Sequence, residues 1–375
     1  MPVLVPYLLL TFAAVYISFQ LVLIIRLKYY YKPVAFKPSA HTPLVSILIA
    51  ARNEEAHIIK CLNAIQQLHY PKDNIEVWIG DDQSSDRTSE LVAAFIKNKP
   101  NHHLVSIQES VGNAKGKANV LAQLARKAGG EFLYITDADI EVPVHWIEGL
   151  MAGFEESTGI VSGSTLVKGD ALLARIQRID WAYACGMMHV VSEMNMPVTA
   201  VGNNMVIRKT CYESTGGYEE LPFSVTEDLQ LFLTALEKGW GFRNLMDPAS
   251  TAVSAPLSSL KDVLKQRKRW ISGAFRLPVL LTTFLAMQAM YFPVLVTALF
   301  LLPPVWVLAF WLTIFNLQTF FIETTARRMG IGSLRRNIIL FELNRYIFPF
   351  LIFTYRLLPG VEWKGRKYSG KDIQP

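Results

Sequence analysis

Apolar residues follow two patterns along this chain. In the first, they run on without a charge for the thickness of a bilayer. Val3 to Ile25 is such a run, long enough for a membrane-spanning helix. It lacks the basic start of a secretory signal and is too long for one, so it reads as an anchor. In the second pattern, short apolar runs alternate with mixed segments from Pro43 to about Leu245. Leu44–Ala50, Ile75–Ile79, Leu104–Ile107 and Phe132–Thr136 read as strands. Helical periodicity fills Glu54–Leu68, Thr88–Lys97 and Lys117–Lys127, with Ser85 or Asp86 placed to cap the second. Strands alternating with helices predict a parallel sheet with right-handed crossovers. Continuously apolar strands predict that both faces of that sheet are covered.

Beyond the alternating region, Leu172–Met194 predicts one long amphipathic helix. Lys261–Arg276 is basic, with Trp270, Ile271 and Phe275 interleaved, as in a helix lying at a membrane surface. Leu277 to Ile322 carries no charge, and Pro303-Pro304 divides it into two span-length pieces, which predicts a helical hairpin. Ile338–Leu358 is apolar but holds Glu342, Arg345 and Arg356. The expected organisation is an anchor over 1–26, an α/β domain over 43–257, an interfacial helix over 258–276 and a hairpin over 277–323. A re-entrant or interfacial segment, or a fourth span, follows over 338–358, and a basic tail over 359–375.

Composition sharpens this picture. Apolar residues make up 51% of the chain and the net charge is +6. The basic residues gather beside the apolar runs: Arg26, Lys28, Lys32 and Lys37 after the first, Arg327, Arg328, Arg335 and Arg336 after the hairpin, and Lys364, Arg366, Lys367 and Lys371 in the tail. By the positive-inside rule these flanks, and the domain between them, are cytoplasmic. The chain is expected in the inner or plasma membrane. A full span over 338–358 would carry the basic tail outside, so an in-plane or re-entrant segment is favoured. No basic stripe with interleaved aromatics marks a nucleic-acid groove, so nucleic acid is not an expected partner. The three cysteines, Cys61, Cys185 and Cys211, lack metal-ligand spacing and read as buried thiols. The seven histidines form no ligand pattern, and His102-His103 reads as a solvated loop.

Candidate chemistry begins at Asp137-Ala-Asp139, which closes the fourth strand. Residues two apart in an extended segment share a side. Open α/β sheets bind ligands at the carboxyl ends of their strands, so both carboxylates are expected to face one crevice. Hard cations prefer such oxygen ligands and are often shared with substrate phosphates; a solvated acidic turn is the alternative. Four further motifs stand in order: Ala50-Ala-Arg-Asn-Glu-Glu55, Gly80-Asp-Asp-Gln-Ser-Ser-Asp-Arg-Thr88, Thr226-Glu-Asp228 and Gln266-Arg-Lys-Arg-Trp270.

Together these five motifs resemble the membrane-bound inverting glycosyltransferases of family 2, a group including ceramide glucosyltransferases and the cellulose, hyaluronan and poly-N-acetylglucosamine synthases. The resemblance covers about Pro43 to Arg276, the flanking membrane segments and the tail motif Trp363-Lys-Gly-Arg-Lys-Tyr368. It implies an A-type glycosyltransferase fold, a mostly parallel nucleotide-binding sheet flanked by helices and carried on N- and C-terminal transmembrane helices. It implies a nucleotide-sugar donor, UDP-linked, and a membrane lipid or lipid-linked glycan as acceptor; a processive polysaccharide synthase is the rival enzyme, and a non-catalytic membrane scaffold keeping the fold is the rival of another class. Residue by residue it implies that Ala51, Asn53, Glu54, Asp81 and Asp82 hold the donor's nucleotide, where Asp82 can accept the imide N–H of uracil. Asp137 and Asp139 would hold Mg²⁺ or Mn²⁺ against the diphosphate, with Lys117 and Arg269 as further positive contacts. Lys117 could equally be a solvated helix start. Asp228 maps to the base that deprotonates the acceptor hydroxyl, with Glu227 as its neighbouring alternative. Gln266, Trp270, Gly202 and Asn203 line the acceptor side, though Trp270 could simply anchor at the membrane. Two departures stand out: Ala51-Arg52 replaces the family's usual proline before Asn-Glu, and Gln83 occupies a position where glycine is usual.

Overall fold

The structure, a computed structural model, describes residues 4–33, 42–274, 276–356, 361–363 and 366–368. Lys364 and Lys371 of the basic tail lie outside the described residues.

The apolar run at the start forms α1 (Leu4–Ile25), which continues as one π-helical turn over Arg26–Tyr30. The alternating region then gives β1 (Val45–Ala51), α2 (Ile58–Gln66), β2 (Ile75–Asp81), α3 (Thr88–Ile96), β3 (His102–Ser106), α4 (Lys117–Lys127) and β4 (Phe132–Asp137). The four strands are parallel. Val45, Ile47, Leu48 and Ile49 are fully buried because α2 covers one face of β1 and α4 the other. At the start of α3 the Asp86 carboxylate accepts the Thr88 N–H at 3.0 Å, so Asp86 satisfies that terminus. His102 and His103 open β3 instead of forming a solvated loop; His103 stacks on Trp78 with ring centroids 4.1 Å apart. All three cysteines are buried and free, as expected.

The second half of the domain contains shorter pieces: β5 (Ile140–Glu141), α5 (Trp146–Met151), β6 (Thr158–Ser162), β7 (Ser164–Val167), α6 (Leu172–Ser192), β8 (Asn204–Arg208), α7 (Lys209–Ser214), α8 (Gly217–Glu220), α9 (Glu227–Glu237), β9 (Gly241–Asn244) and β10 (Thr251–Ser254). The main sheet runs β3-β2-β1-β4-β8-β6-β9, with β8 antiparallel to both neighbours; β5, β10 and β7 form a small second sheet. The chain leaves β1 toward β2 on one side and, later, enters β4 on the other. A crevice therefore opens at the carboxyl ends of β1 and β4, the position where such sheets bind ligands. Register brings the motifs to this edge: Ala51 pairs with Asp81, and Ala50 with Asp137.

The C-terminal part holds α10 (Leu260–Ala274), α11 (Val279–Leu301), α12 (Pro304–Arg328) and α13 (Ile338–Arg356). Among the described residues, four helical segments, Leu4–Tyr30, Val279–Leu301, Pro304–Arg328 and Arg335–Tyr355, are long and apolar enough to cross a membrane. The Pro303-Pro304 break falls between α11 and α12. These helices pack around a buried polar centre: Gln20 donates to Tyr183 at 3.0 Å, Gln318 to the Tyr16 hydroxyl at 3.3 Å, and Arg345 to the same hydroxyl at 3.3 Å. Arg345 also donates to both oxygens of Glu342 at 2.9 and 2.8 Å, and lies 3.6 Å from the Tyr291 ring centroid. Glu342 and Arg345 of the 338–358 segment are thus paired three residues apart and buried. Removing one member of a buried pair strands the other. Arg345→Met is therefore expected to cost about 3–5 kcal/mol, read as a lower unfolding temperature in detergent; an unchanged temperature would show the pair to be dispensable.

α13 contains Pro349 and approaches the α/β domain at both ends. Just before its start, Asn337 accepts from Arg175 of α6 at 2.9 Å; near its end, Lys268 of α10 sits 5.6 Å from the Tyr355 ring centroid. The two short strands that follow, Val361–Trp363 and Arg366–Tyr368, pair with each other, and the first packs against α10.

Candidate active site

The first strand-to-helix loop interlocks with the second. Asn53 adopts φ +54°, in the left-handed region that asparagine tolerates. Its side-chain oxygen accepts the Ser85 N–H at 2.8 Å, and its own N–H donates to Ser84 Oγ at 3.0 Å. The Glu54 N–H donates to Thr88 Oγ1 at 2.7 Å. The Asp82 N–H donates to the Ala51 carbonyl at 2.9 Å, while Arg52 grips the Asp82 carbonyl at 2.5 Å and lies 3.9 Å from its carboxylate. The extra charge at Arg52 is thus absorbed beside Asp82, a role not read from the sequence. Asp81 accepts the Ser84 N–H at 3.3 Å, the turn chemistry that paired acids before serines suggest. Gln83 has φ +57°, a conformation that glycine adopts without strain.

The expectation that Asp137 and Asp139 share one side needed an extended segment, but β4 ends at Asp137 and Ala138-Asp139 turn, so the two carboxylates reach different surroundings. Lys117 Nζ lies 2.5 Å from Asp137, 3.3 Å from Glu227 and 3.3 Å from the Gly202 carbonyl. Its side chain is only 10% exposed. Burial alone would depress the ammonium pKa, but Asp137 and Glu227 hold it above the ordinary lysine value. Lys117 is therefore not a solvated helix start; it bridges the end of β4 to the start of α9. Asp139 is partly exposed and lines a pocket of about 200 Å³ with His57, Lys60 and Lys168. The long-range assembly of that pocket, from α2, β5, β7 and β10, left no local signal in the sequence. Cys61 also lines it, and burial together with Asp139 and Asp137 pushes its thiol pKa far up, so it is inert.

Asp228 sits in the first turn of α9. One carboxylate oxygen accepts the Gly202 N–H at 3.0 Å and the other the Leu229 N–H at 2.9 Å. A Cβ at Gly202 would stand 2.5 Å from that carboxylate, so only glycine lets the two segments meet. Asn203, by contrast, faces inward, accepting from Thr165 at 2.9 Å through its side chain and from Thr136 at 3.1 Å through its carbonyl. Burial and the adjacent Glu227 raise the Asp228 pKa to about 6, against the opposing pull of Lys117, the Leu229 N–H and Arg269. A carboxylate so tuned is a competent general base near neutral pH. Lys117→Met removes one of the lowering charges. It is expected to move the acid limb of the pH–rate profile to higher pH; an unmoved limb would detach Lys117 from Asp228.

The basic helix α10 packs across the start of α9. A Cβ on Gly273 would meet Leu229 at 2.9 Å and Thr226 at 3.0 Å. This contact brings Arg269 close enough to act on the Asp228 carboxylate; Gln266 lies one turn before it on the same helix. Trp270 makes an edge-to-face contact with Trp181 of α6 at 5.2 Å and lies under Arg267 at 4.5 Å, whose guanidinium pairs with Asp180. Trp270 is thus fixed on the seam between the α/β domain and the helical bundle.

The sheet order, the switch-point crevice and the carboxylates gathered there define an A-type glycosyltransferase fold. The chain belongs to Glycosyl transferase family 21, whose sequence model matches residues 5–372. This bears out the resemblance drawn from the five motifs. Among relatives, the probable glycosyltransferase YdaM of Bacillus subtilis is 30% identical over 240 residues, covering 62% of this chain and 55% of its own length. The beta-monoglucosyldiacylglycerol synthase of Trichormus variabilis is 30% identical over 249 residues, covering 62% and 49%. The poly-beta-1,6-N-acetyl-D-glucosamine synthase of Staphylococcus aureus is 27% identical over 255 residues, covering 66% and 58%. The chain thus spans about half the length of the curated relatives it matches. Among solved structures, the mannosyltransferase PcManGT of Pyrobaculum calidifontis, in complex with GDP-Man and Mn²⁺, superposes with a TM-score of 0.60 at 20% identity, covering 92% of this chain and 99% of that one; this likeness supports the fold.

Proposed function

We propose that this protein transfers a sugar from a UDP-linked donor to a membrane lipid or lipid-linked glycan, with inversion at the anomeric carbon. The observation that carries the reading is Asp228: a carboxylate with a pKa of about 6, held by backbone N–H groups across the crevice from the ends of β1 and β4. In this reading Ala51, Asn53, Glu54, Asp81 and Asp82 seat the nucleotide. The acceptor hydroxyl gives its proton to Asp228 as its oxygen attacks the anomeric carbon. The bond from that carbon to the diphosphate breaks on the opposite face, and Arg269 offsets the charge that develops on the leaving group.

The residues at the edge of β4 fit a hard divalent cation. Asp139 offers a partly exposed carboxylate, and a nucleotide diphosphate and water would complete an all-oxygen shell. Such a cation, Mg²⁺ or Mn²⁺, would neutralise negative charge on the diphosphate. The Mn²⁺ seen with PcManGT agrees with this choice.

Single transfer is favoured over processive synthesis by the filled bundle interior. Tyr16, Tyr291, Ile314 and Phe321 are fully buried between the helices, where a threaded polymer would need space. The beta-monoglucosyldiacylglycerol synthases among the relatives also point to a lipid acceptor. The deciding assay incubates radiolabelled UDP-sugars with the protein in lipid vesicles. One sugar per lipid product is expected; long soluble polymer would favour the synthase, and no transfer from any UDP-sugar would overturn the reading.

We further propose that the α/β domain and the tail share the cytoplasmic side, with α13, one continuous helix, lying in plane against the bundle rather than crossing the membrane. Its support is the approach of both ends of α13 to α6 and α10. Because the three native cysteines are buried, a cysteine introduced after Trp363 gives a clean readout. It is expected to react only with reagent on the domain's side; labelling solely from the opposite side would make α13 a full span.

A further inference from the structure

We propose that His69, His145 and Glu148 form a binding site for a divalent transition metal of the zinc class, separate from the Asp137–Asp139 edge. Sequence spacing gives no hint of it, because the fold brings the residues together. His69 follows α2, His145 immediately precedes α5, and Glu148 lies in the first turn of α5. The His69 N–H donates to the Val144 carbonyl at 2.8 Å, which docks the two segments side by side.

Geometry carries the inference. His69 Nδ1 lies 3.3 Å and His145 Nδ1 3.5 Å from one and the same oxygen, Glu148 Oε1. A ligand atom from each of the three residues falls within 4.8 Å of the others. Zinc bonds of about 2.0–2.2 Å to imidazole nitrogen and carboxylate oxygen place tetrahedral ligand atoms about 3.3–3.6 Å apart. The two carboxylate–imidazole separations already match that edge length. The rings meet edge to face, with centroids 5.0 Å apart and planes at 62°, so they can converge on a common point without stacking. Glu148 Oε2 is buried and has no hydrogen-bond partner among the described residues, which a cation at Oε1 would compensate electrostatically. The His69 side chain is 76% exposed, so it can adjust to close the third bond length. Two imidazoles and one carboxylate select zinc-class ions over Mg²⁺, which demands oxygen ligands. Three protein ligands leave a fourth position for water.

The location gives the site a consequence. α2 begins just after the Asn53–Glu54 loop, and α5 follows the Asp139 edge by a few residues. A metal joining their facing ends would fasten the two segments that carry opposite sides of the proposed donor crevice.

The test uses the purified full chain in detergent, stripped with EDTA and titrated with zinc against a chromophoric chelator, with Mg²⁺ in excess to occupy the Asp139 edge. Wild type and Asp139→Asn are each expected to hold one tight zinc. His69→Ala and Glu148→Gln should weaken it at least ~10-fold, the scale on which altered metal surroundings act. Zinc at about a hundredfold excess over its wild-type Kd should raise the unfolding temperature of wild type by roughly 3 °C, and that of His69→Ala by about half as much or less. Should Glu148→Gln fail to fold, His69→Ala decides alone, because its side chain is exposed. Unchanged zinc affinity in His69→Ala would overturn the site. So would loss of zinc in Asp139→Asn, which would place the ion at the other edge. An inactive Asp139→Asn that still binds zinc bears on the catalytic reading and upholds this one.

Discussion

Asp228→Asn is expected to cut turnover at least ~10²-fold, the usual contribution of a positioned general base, while donor affinity stays unchanged. Asparagine keeps the shape of aspartate and an oxygen to accept the Gly202 N–H, now 3.0 Å away. The close approach that Gly202 permits is therefore retained, while the proton acceptor is lost together with the bond from the Leu229 N–H. The pH dependence follows from the same residue. Its pKa of about 6 lies above the ordinary carboxylate range because burial and Glu227 disfavour the charge. The base works in its charged form, so wild-type activity should fall as pH drops through about 6. That limb should vanish in the residual activity of Asp228→Asn. Steady-state kinetics over pH, with donor affinity from calorimetry, checks both statements. Loss of donor binding with normal turnover of whatever donor still binds would move Asp228 to the donor side.

The parallel half of the sheet was legible because burial on both faces leaves few polar positions to interrupt a strand; Ser46 is tolerated because Glu76 and the Gly130 N–H bond it. Val45 to Ile49 on β1 and Phe132 to Thr136 on β4 are continuous for that reason. The strands after β4 were not legible. Thr158–Ser162 and Ser164–Val167 are short, rich in small polar residues, and owe their pairing to distant β8, β9 and β10. Their hydroxyls are satisfied by tertiary partners, such as Ser162 with Asn244 at 2.8 Å, and such partners leave no periodic trace. The three long apolar runs announced α1, α11 and α12 with their boundaries nearly right. The course of α13 was harder: Glu342 and Arg345 look costly in sequence even if paired three apart, and only the fold shows them buried beside Tyr16 and Tyr291.

The crevice was legible wherever one loop supplies a whole motif. Asn53-Glu54, Asp81-Asp82 and Asp137-x-Asp139 each end a strand, and strand order alone collects them. Lys117 was not legible in the same way. Its neighbours in sequence suggest an exposed helix start, and its two carboxylate partners come from β4 and α9. Placing it required knowing that β4 and α9 face each other. The coupling has a direct consequence for the acids of the fourth strand, which stop being equivalent.

That asymmetry gives the second large effect. Asp139→Asn is expected to lower transfer by about 10²–10³-fold or more, the scale of removing one preorganised charge from a developing anion. Asp137→Asn should cost less. Asp137 already shares its charge with Lys117 at 2.5 Å, so part of its field is spent within the protein. Asp139 lines the pocket that Lys60 and Lys168 also line, where a cation and the donor diphosphate can meet. A hard cation needs few protein ligands when phosphate oxygens and water supply the rest. EDTA treatment should accordingly inactivate wild type, and added Mn²⁺ or Mg²⁺ should restore it. In Asp139→Asn the same ions should restore little, and calorimetry should show donor binding that no longer tightens when metal is added. In Asp137→Asn, tightening by metal should persist, because Asp139 remains. Full wild-type activity after exhaustive EDTA treatment would remove the cation from the mechanism. An Asp137→Asn defect larger than that of Asp139→Asn would instead make Asp137 the principal ligand and Lys117 its competitor.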